Sequence, residues 1–172
     1  AGKSSIFNII TSHNRSIVHS EAGTTRDWHK ELILNSNLFI YDTPGEIINE
    51  SLKKINLNSY FDNIINSKIS SFLYVIEYKN GYNQIDNLNI NILRKYNKNF
   101  ILIVNKFDNF KISPNDDFIK YGIKDIHYIS CAHRYGLDKL KSEFKTNNNN
   151  LNISKSDFSI AIFGKPNAGK ST

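Results

Sequence analysis

The chain has 172 residues, of which 40% are hydrophobic and 12% aromatic, so it is long enough for one globular domain with a buried core. No apolar run approaches the ~20 residues of a membrane helix, and the single cysteine, Cys131, excludes an intrachain disulfide. The net charge of +6 is compatible with a nucleic-acid partner but does not require one, because the excess is mostly lysine in a chain also rich in asparagine and isoleucine.

Apolar runs alternate with amphipathic stretches along the chain, and this alternation predicts strands and helices in turn. The helix predicted at residues 85–96 is amphipathic, with an apolar side formed by Ile85, Leu88, Ile92, Leu93 and Tyr96. Such a succession indicates an α/β fold with a mainly parallel sheet, flanked by helices and carrying one antiparallel edge hairpin. In chain order, the expected elements are hairpin strands 31–34 and 38–41, a helical segment 47–69, a strand 72–76, the helix 85–96, a strand 100–104, a short helix 116–121, a strand 126–129, a helix 137–144 and a strand 159–163.

A phosphate-binding loop is predicted directly after the last strand. The sequence there has a glycine, four further residues and then Gly-Lys-Ser, which is the phosphate-loop pattern. Glycines let such a loop curl so that its N–H groups face phosphate oxygens, while Lys170 would reach the β- and γ-phosphates and Ser171 would bind Mg²⁺. The alternative is a simple turn with a solvated lysine. The candidate nucleotide-binding residues of this loop are Gly164, Lys165, Pro166, Asn167, Ala168, Gly169, Lys170, Ser171 and Thr172.

The beginning of the chain repeats the end of that pattern. Gly2, Lys3, Ser4 and Ser5 are followed by a helix-like run at residues 6–10. So short a segment is weak evidence alone, but beside the complete copy it predicts a second phosphate loop whose first half lies outside the sequence. Because the chain contains no methionine, even at its first position, we expect it to be an internal fragment of a longer protein.

Two further segments could meet the phosphates and a metal ion. Asp42, Thr43, Pro44 and Gly45 follow the strand 38–41, where a carboxylate can hold Mg²⁺ through water and a glycine N–H can contact a γ-phosphate. Thr25, in the run Ala-Gly-Thr-Thr-Arg-Asp at 22–27, could close over the metal ion as a switch residue. An ordinary turn at 42–45 and a polar loop at 22–27 are the alternatives.

Two loops that follow buried strands could read a nucleobase. Asn105, Lys106 and Asp108 form the pattern Asn-Lys-x-Asp after the strand 100–104. A carboxylate there can accept hydrogen bonds from N1–H and the 2-amino group of guanine. Adenine cannot make this pair of contacts because it lacks both donors. After the strand 126–129, a backbone N–H in the segment Ser130, Cys131 and Ala132 could contact the guanine oxygen. The alternative in both places is a polar loop.

These motifs occur in one consistent order and follow predicted strands, and together they predict a P-loop NTPase of the G-domain type. The sequence resembles the translation-factor-related bacterial GTPases and, among them, the Der (EngA) family of ribosome-assembly GTPases with two tandem G domains. Residues 22–27, 105–108 and 130–137 carry this resemblance, which covers essentially the whole chain. The repeated phosphate loop distinguishes it from the related Era and MnmE families. The residues that depart from the family pattern are Pro44, Glu46, Cys131 and Arg134.

The resemblance implies a slow GTPase that binds GTP or GDP with Mg²⁺ and acts in the cytoplasm on the large ribosomal subunit and its rRNA. Neither a membrane nor DNA is expected as a partner. Glu46 would stand near the γ-phosphate, which makes a non-hydrolysing or slow GTP-dependent switch one alternative; an Era-like or MnmE-like GTPase with another RNA client is the other. The implied catalytic residues are Lys3, Thr25 and Gly45, the implied Mg²⁺ ligands are Ser4, Thr25, Asp42 and Ser171, and Asn167 would bind K⁺.

The predicted domains are a first G domain at 1–146 that lacks its first strand, a linker at 147–157, and the first strand and phosphate loop of a second G domain at 158–172. The missing strand would normally lie in the middle of the sheet. At about 3.3 Å per residue, the linker can cross a small sheet. We therefore hypothesise that the strand 159–163 inserts beside the strand containing Phe39 or Val104 and forms a circularly permuted G domain. The alternative is an unpaired tail.

Overall fold

The computed structural model describes residues 2–11, 29–33, 36, 38–42, 69, 71–144 and 158–164. Within these ranges no helix is long and apolar enough to cross a membrane. The helices are α1 (Lys3–Thr11), α2 (Gln84–Lys95) and α3 (Leu137–Ser142), with 3₁₀ turns at Tyr78–Asn80 and Asp116–Tyr121. The strands are β1 (His29–Leu32), β2 (Leu38–Asp42), β3 (Ser71–Glu77), β4 (Asn99–Asn105), β5 (Ile126–Tyr128) and β6 (Phe158–Phe163).

The six strands found in the described residues form one sheet in the order β1-β2-β6-β3-β4-β5, and among these strands only the β1–β2 pair is antiparallel. The predicted mainly parallel sheet with an edge hairpin is therefore confirmed. The first hairpin strand ends at Leu32, earlier than predicted, because the turn already begins at Ile33. There the carbonyl oxygen of Ile33 accepts from both the backbone N–H (3.1 Å) and the hydroxyl (2.9 Å) of Ser36.

Strand β6 occupies the centre of the sheet, as the insertion hypothesis predicts. It pairs in parallel with β2, where Phe39 lies opposite Ser159, and with β3, where Ser71 lies opposite Ile160. The strand containing Val104 is one position further along, beyond β3. The alternative of an unpaired tail is wrong for residues 158–163, because both edges of this segment are hydrogen-bonded to neighbouring strands.

Helices cover both faces of the sheet, and the period-2 alternation of the strands supplies two separate cores. On one face, Val75 and Ile162 pack with residues of α1 and α3; on the other, Ile76 and Phe163 pack with residues of α2. The central strands are consequently apolar on both sides, which is typical of a parallel sheet between two helical layers.

The buried side of α2 matches the predicted one only in part, because Leu93 is buried and Ile92 packs against the core. Ile85 (37%), Leu88 (62%) and Tyr96 (43%) of the predicted apolar side are exposed, whereas Asp86 and Asn89 are buried. The reason lies in the sheet, where the hydroxyl of the fully buried Tyr74 donates to Asp86 Oδ1 and accepts from Asn89 Nδ2, each at 3.0 Å. Because a buried hydroxyl needs partners, α2 turns these two polar residues inward. Burial, followed by the charge of Asp86, raises the pKa of Tyr74 well above its usual value.

Because β6 lies in the centre of the sheet, we expect a small change in its packing to lower the free energy of unfolding measurably. Ile162 is completely buried, so Ile162→Val should lower the free energy of unfolding by about 1 kcal/mol through the lost methylene and the cavity it leaves. Chemical denaturation measures this change. The matched control is Ile119→Val, because Ile119 is 63% exposed and the same deletion there should leave stability unchanged. Equal stability of the two variants would contradict the central placement.

Candidate functional site

Polar residues gather at the carboxyl edge of the parallel sheet, which is where ligands bind in open α/β folds. Asp42 ends β2, Glu77 ends β3 and Asn105 ends β4, while Gly164 directly follows β6. The first residues of α1 lie at the same edge, because the contacts described below join them to Asp42, Asn105 and Gly164. The predicted gathering of motifs at strand ends is thus observed for the described residues.

The first and the last described segments of the chain meet at this edge. The buried ammonium group of Lys3 donates to the carbonyl oxygen of Gly164 at 2.9 Å, across a separation of 161 residues. Gly164 has a φ of +147°, and a Cβ there would collide with the backbone carbonyl of Val75. Only glycine therefore lets the chain leave β6 this close to β3. The predicted beginning of one phosphate loop and the predicted end of the other are brought into direct contact.

A hydroxyl and a carboxylate meet beside Lys3. The Oγ of Ser4 donates to Oδ2 of Asp42 at 2.7 Å, and Asp42 itself is buried. These oxygens are hard ligands of the kind that Mg²⁺ prefers, so the pair fits the predicted metal role. The described residues hold no group of three or more His, Cys, Asp and Glu side chains.

Asn105 lies between the start of α1 and the loop after β5. Gly2 has a φ of +81°, and a Cβ at this position would collide with the side-chain amide of Asn105. On its other side, Asn105 Oδ1 accepts from the backbone N–H of Cys131 at 3.3 Å. Asn105 is buried, and its amide thus lies between the start of α1 and the loop after β5.

The two predicted base-reading loops are joined by a short hydrogen bond. The hydroxyl of Ser130, which is fully buried, donates to Oδ1 of Asp108 at 2.6 Å and accepts from the backbone N–H of His133 at 3.2 Å. Asp108 is exposed, so its carboxylate is oriented by Ser130 while it faces solvent. Burial raises the pKa of Cys131 to about 11, which keeps this thiol neutral at neutral pH.

Glu77 belongs to the site although the sequence analysis did not select it. Its carboxylate lies 3.1 Å from the ammonium of Lys106 and 3.2 Å from that of Lys79. Burial raises the pKa of Glu77, but the two lysines outweigh this effect and lower the pKa below its usual value. The ion pairs thus contribute stability above the ordinary glutamate pKa and lose it only as the pH falls through the lowered value. The sequence did contain a signal for Glu77, namely a carboxylate at the end of a buried strand. The same signal identified Asp42.

The structure therefore brings together Gly2, Lys3, Ser4, Asp42, Asn105, Lys106, Asp108, Ser130, Cys131 and Gly164. Ser5 and Ala132 are exposed next to these residues. The other predicted site residues lie outside the described residues: Thr25, Thr43, Pro44, Gly45, Glu46, Lys165, Pro166, Asn167, Ala168, Gly169, Lys170, Ser171 and Thr172. The segment predicted as helical at 47–69 and the linker at 147–157 also lie outside them, apart from the buried Ile69.

Comparisons with known proteins identify a matching family and several relatives. A family model described as "50S ribosome-binding GTPase" matches residues 1–106. The chain is 32% identical to GTPase Der of Mycoplasma capricolum over 180 residues, which cover 99% of this chain and 40% of that protein. It is 31% identical to GTPase Der of Thermosipho melanesiensis over 188 residues, covering 99% and 42% respectively. The chain thus spans about 40% of the length of these relatives.

A solved structure shares the fold. Translation elongation factor SelB from Methanococcus maripaludis, in complex with the GTP analogue GppNHp, superposes with a TM-score of 0.54. The match covers 89% of this chain and 32% of that one at 18% sequence identity. At this identity the likeness concerns the fold, which is that of a P-loop GTPase.

Proposed function

This chain belongs to the family of 50S ribosome-binding GTPases, and from that membership we propose that it binds and hydrolyses GTP in a single site to which both ends of the chain contribute. The observation that carries the proposal is the contact of the Lys3 ammonium with the Gly164 carbonyl oxygen at 2.9 Å. In a phosphate loop the first glycine follows a strand and the lysine begins a helix. Gly164 follows β6 and Lys3 begins α1, so the first glycine of the complete pattern and the lysine of the partial copy satisfy this requirement together.

The phosphate groups would bind at the start of α1. The helix N-terminus presents backbone N–H groups, and anions are stabilised there by the helix dipole. The Lys3 ammonium would supply a charge-assisted contact to the β- and γ-phosphates. Ser4 and Asp42 would hold Mg²⁺, which supplies neutralisation of the phosphate charge when bound. Phosphoryl transfer depends mainly on positioning and electrostatic stabilisation, which these residues can provide.

The base would bind between the loops after β4 and β5. Asp108 can accept two hydrogen bonds from guanine, and its hydrogen bond from Ser130 sets the orientation of the carboxylate. The stem of Lys106, held at its ammonium end by Glu77, can pack along the flat face of the base. Guanine is therefore favoured over adenine, which lacks the matching donors.

Single-turnover hydrolysis on the 172-residue chain tests this function. We expect phosphate release from bound GTP, no competition by ATP, and a faster rate in K⁺ than in Na⁺, since the resemblance implies a K⁺ ion at the phosphate loop. Tight GTP binding without phosphate release in either salt would instead support the non-hydrolysing switch. ATP that competes equally with GTP would overturn the base assignment.

The large ribosomal subunit is the partner that we propose, because the matching family is described as ribosome-binding and the chain carries a net charge of +6. The role in assembly of that subunit, and the division into a first G domain, a linker and the start of a second, remain predictions. Co-sedimentation with purified 50S subunits, compared between GDP and a non-hydrolysable GTP analogue, measures the association. Equal recovery with 30S subunits would favour another RNA client.

Glu77→Gln should weaken GTP binding about fivefold, since one partly buried ion pair contributes on the order of 1 kcal/mol. The neutral amide no longer attracts the ammonium of Lys106, so the lysine stem is no longer held beside the base. Titration with a fluorescent GDP analogue measures the affinity. Lys79→Ala is the control, because Lys79 also pairs with Glu77 but its side chain is 77% exposed. If both variants bind as tightly as wild type, Glu77 does not position Lys106.

A further inference from the structure

Two aromatic rings are stacked on the surface beside the base-reading loops. The rings of Phe110 and Tyr135 have centroids 4.6 Å apart and planes inclined by only 11°. Phe110 is 42% exposed and Tyr135 is 40% exposed. Single exposed apolar residues are ordinary on protein surfaces, but a parallel pair presents a continuous flat apolar surface. We call Phe110 and Tyr135 the aromatic platform.

The platform is fixed to the interior of the domain. Tyr135 packs against the buried ring of Phe107 at 6.1 Å, and Phe107 in turn contacts Tyr78 at 4.9 Å. The backbone of Tyr135 exchanges two hydrogen bonds of 3.1 Å with Ser130, the residue that orients Asp108. Because the ring of Tyr135 is already held in place, a ligand that stacks on the platform would order few additional groups.

Two exposed basic residues flank the platform in sequence. Lys111 directly follows Phe110, Arg134 directly precedes Tyr135, and both are exposed. His133 lies edge-on to Phe110 with a centroid separation of 6.1 Å. A partner with flat apolar rings and negative charge is complementary to this combination. Single-stranded nucleic acid has this chemistry, since its unpaired bases stack on aromatic side chains while its phosphates contact lysine and arginine.

We propose that the aromatic platform binds an unpaired nucleobase of RNA, with Lys111 and Arg134 contacting the adjacent phosphates. The choice of RNA rests on the proposed function, in which the ribosomal subunit is the partner. Phe110 and Tyr135 follow Asp108 and Ser130 in their loops, so the platform adjoins the proposed guanine site but uses none of the residues assigned to it. It adds a contact surface whose specificity is for unpaired rather than paired RNA.

Fluorescence anisotropy with a labelled single-stranded RNA twelve nucleotides long, made of alternating A and C so that it does not pair with itself, tests the proposal. We expect Phe110→Leu combined with Tyr135→Leu to bind this RNA about tenfold more weakly, as loss of one stacked base predicts. The matched control is Tyr96→Leu, because Tyr96 is 43% exposed but caps the end of α2. This control should bind RNA as wild type does.

Two further measurements make the outcome decisive. Binding of a fluorescent GDP analogue to each variant shows whether the guanine site is intact, so failure of RNA binding is separable from failure of the proposed function. If the double variant loses GDP, Phe110→Leu alone carries the test, since Tyr135 then keeps its packing on Phe107. An RNA duplex of equal length that binds as tightly as the single strand would overturn the proposal, because charge alone would explain it. Unchanged RNA affinity in the variants would also overturn it and indicate a protein partner.

Discussion

Asp108→Asn is expected to lower the affinity for GTP by about 10⁴-fold and to create affinity for xanthosine triphosphate. The reason is that a site with polar groups discriminates strongly against a base that leaves those groups without hydrogen-bond partners. The asparagine oxygen can still accept from Ser130, whose hydroxyl lies 2.6 Å from Asp108 Oδ1, so the loop keeps its conformation. The new amide nitrogen then opposes the N1–H and 2-amino donors of guanine. In xanthine, an oxygen replaces the 2-amino group and accepts from the amide.

Competition binding with GTP, xanthosine triphosphate and ATP measures this change. Asp116→Asn is the matched control, because it makes the same substitution at an exposed position in the first turn of the 3₁₀ segment Asp116–Tyr121. The control should keep the selectivity of the wild type. A variant at position 108 that still prefers GTP would show that another group reads the base.

Lys3→Ala is expected to weaken GTP binding about a hundredfold, since a charge-assisted contact to phosphate contributes on the order of 2–3 kcal/mol. The ammonium already lies at the carboxyl edge of the sheet, 2.9 Å from the Gly164 carbonyl oxygen. Calorimetry with GTP and Mg²⁺ measures both affinity and stoichiometry, which should be one nucleotide per chain in the wild type.

The informative comparison for Lys3→Ala is Lys170→Ala, because residues 164–171 carry a complete phosphate-loop pattern of their own. A site shared by both chain ends predicts the larger loss for Lys3. If Lys170→Ala abolishes binding while Lys3→Ala has no effect, the proposal of a shared site is wrong and the loop after β6 acts alone. Lys120→Ala, at a lysine whose side chain is 62% exposed and paired with Asp117, controls for the loss of a positive charge.

The motifs themselves were readable from the sequence because their signals are local. A continuous apolar run marks a strand in a covered sheet, and in this fold the polar residues directly after such a run lie at the ligand-binding edge. Asn105 and Asp108 were found in this way, and so was the segment beginning with Ser130. Glu77 satisfies the same rule but belongs to no known motif, so only its ion pair with Lys106 revealed it.

Side-chain orientation was less predictable, as α2 shows. Its apolar residues suggested one buried side, of which Leu93 is buried, but the hydroxyl of Tyr74 on β3 also draws Asp86 and Asn89 inward. The free energy of satisfying a buried polar group depends on which residue of the sheet lies opposite, and this residue is distant in sequence. Periodicity within one helix does not contain that information.

The sequence by itself determined the alternation of strands and helices, the identity of each motif and the chemistry that each motif can perform, because these depend on neighbouring residues. Only the tertiary structure decided that β6 lies between β2 and β3, with the Gly164 carbonyl oxygen against Lys3. A short apolar strand can fill any vacant parallel position of suitable length. Contacts between residues far apart in the chain determine which of these positions the strand occupies. Local sequence does not encode those contacts.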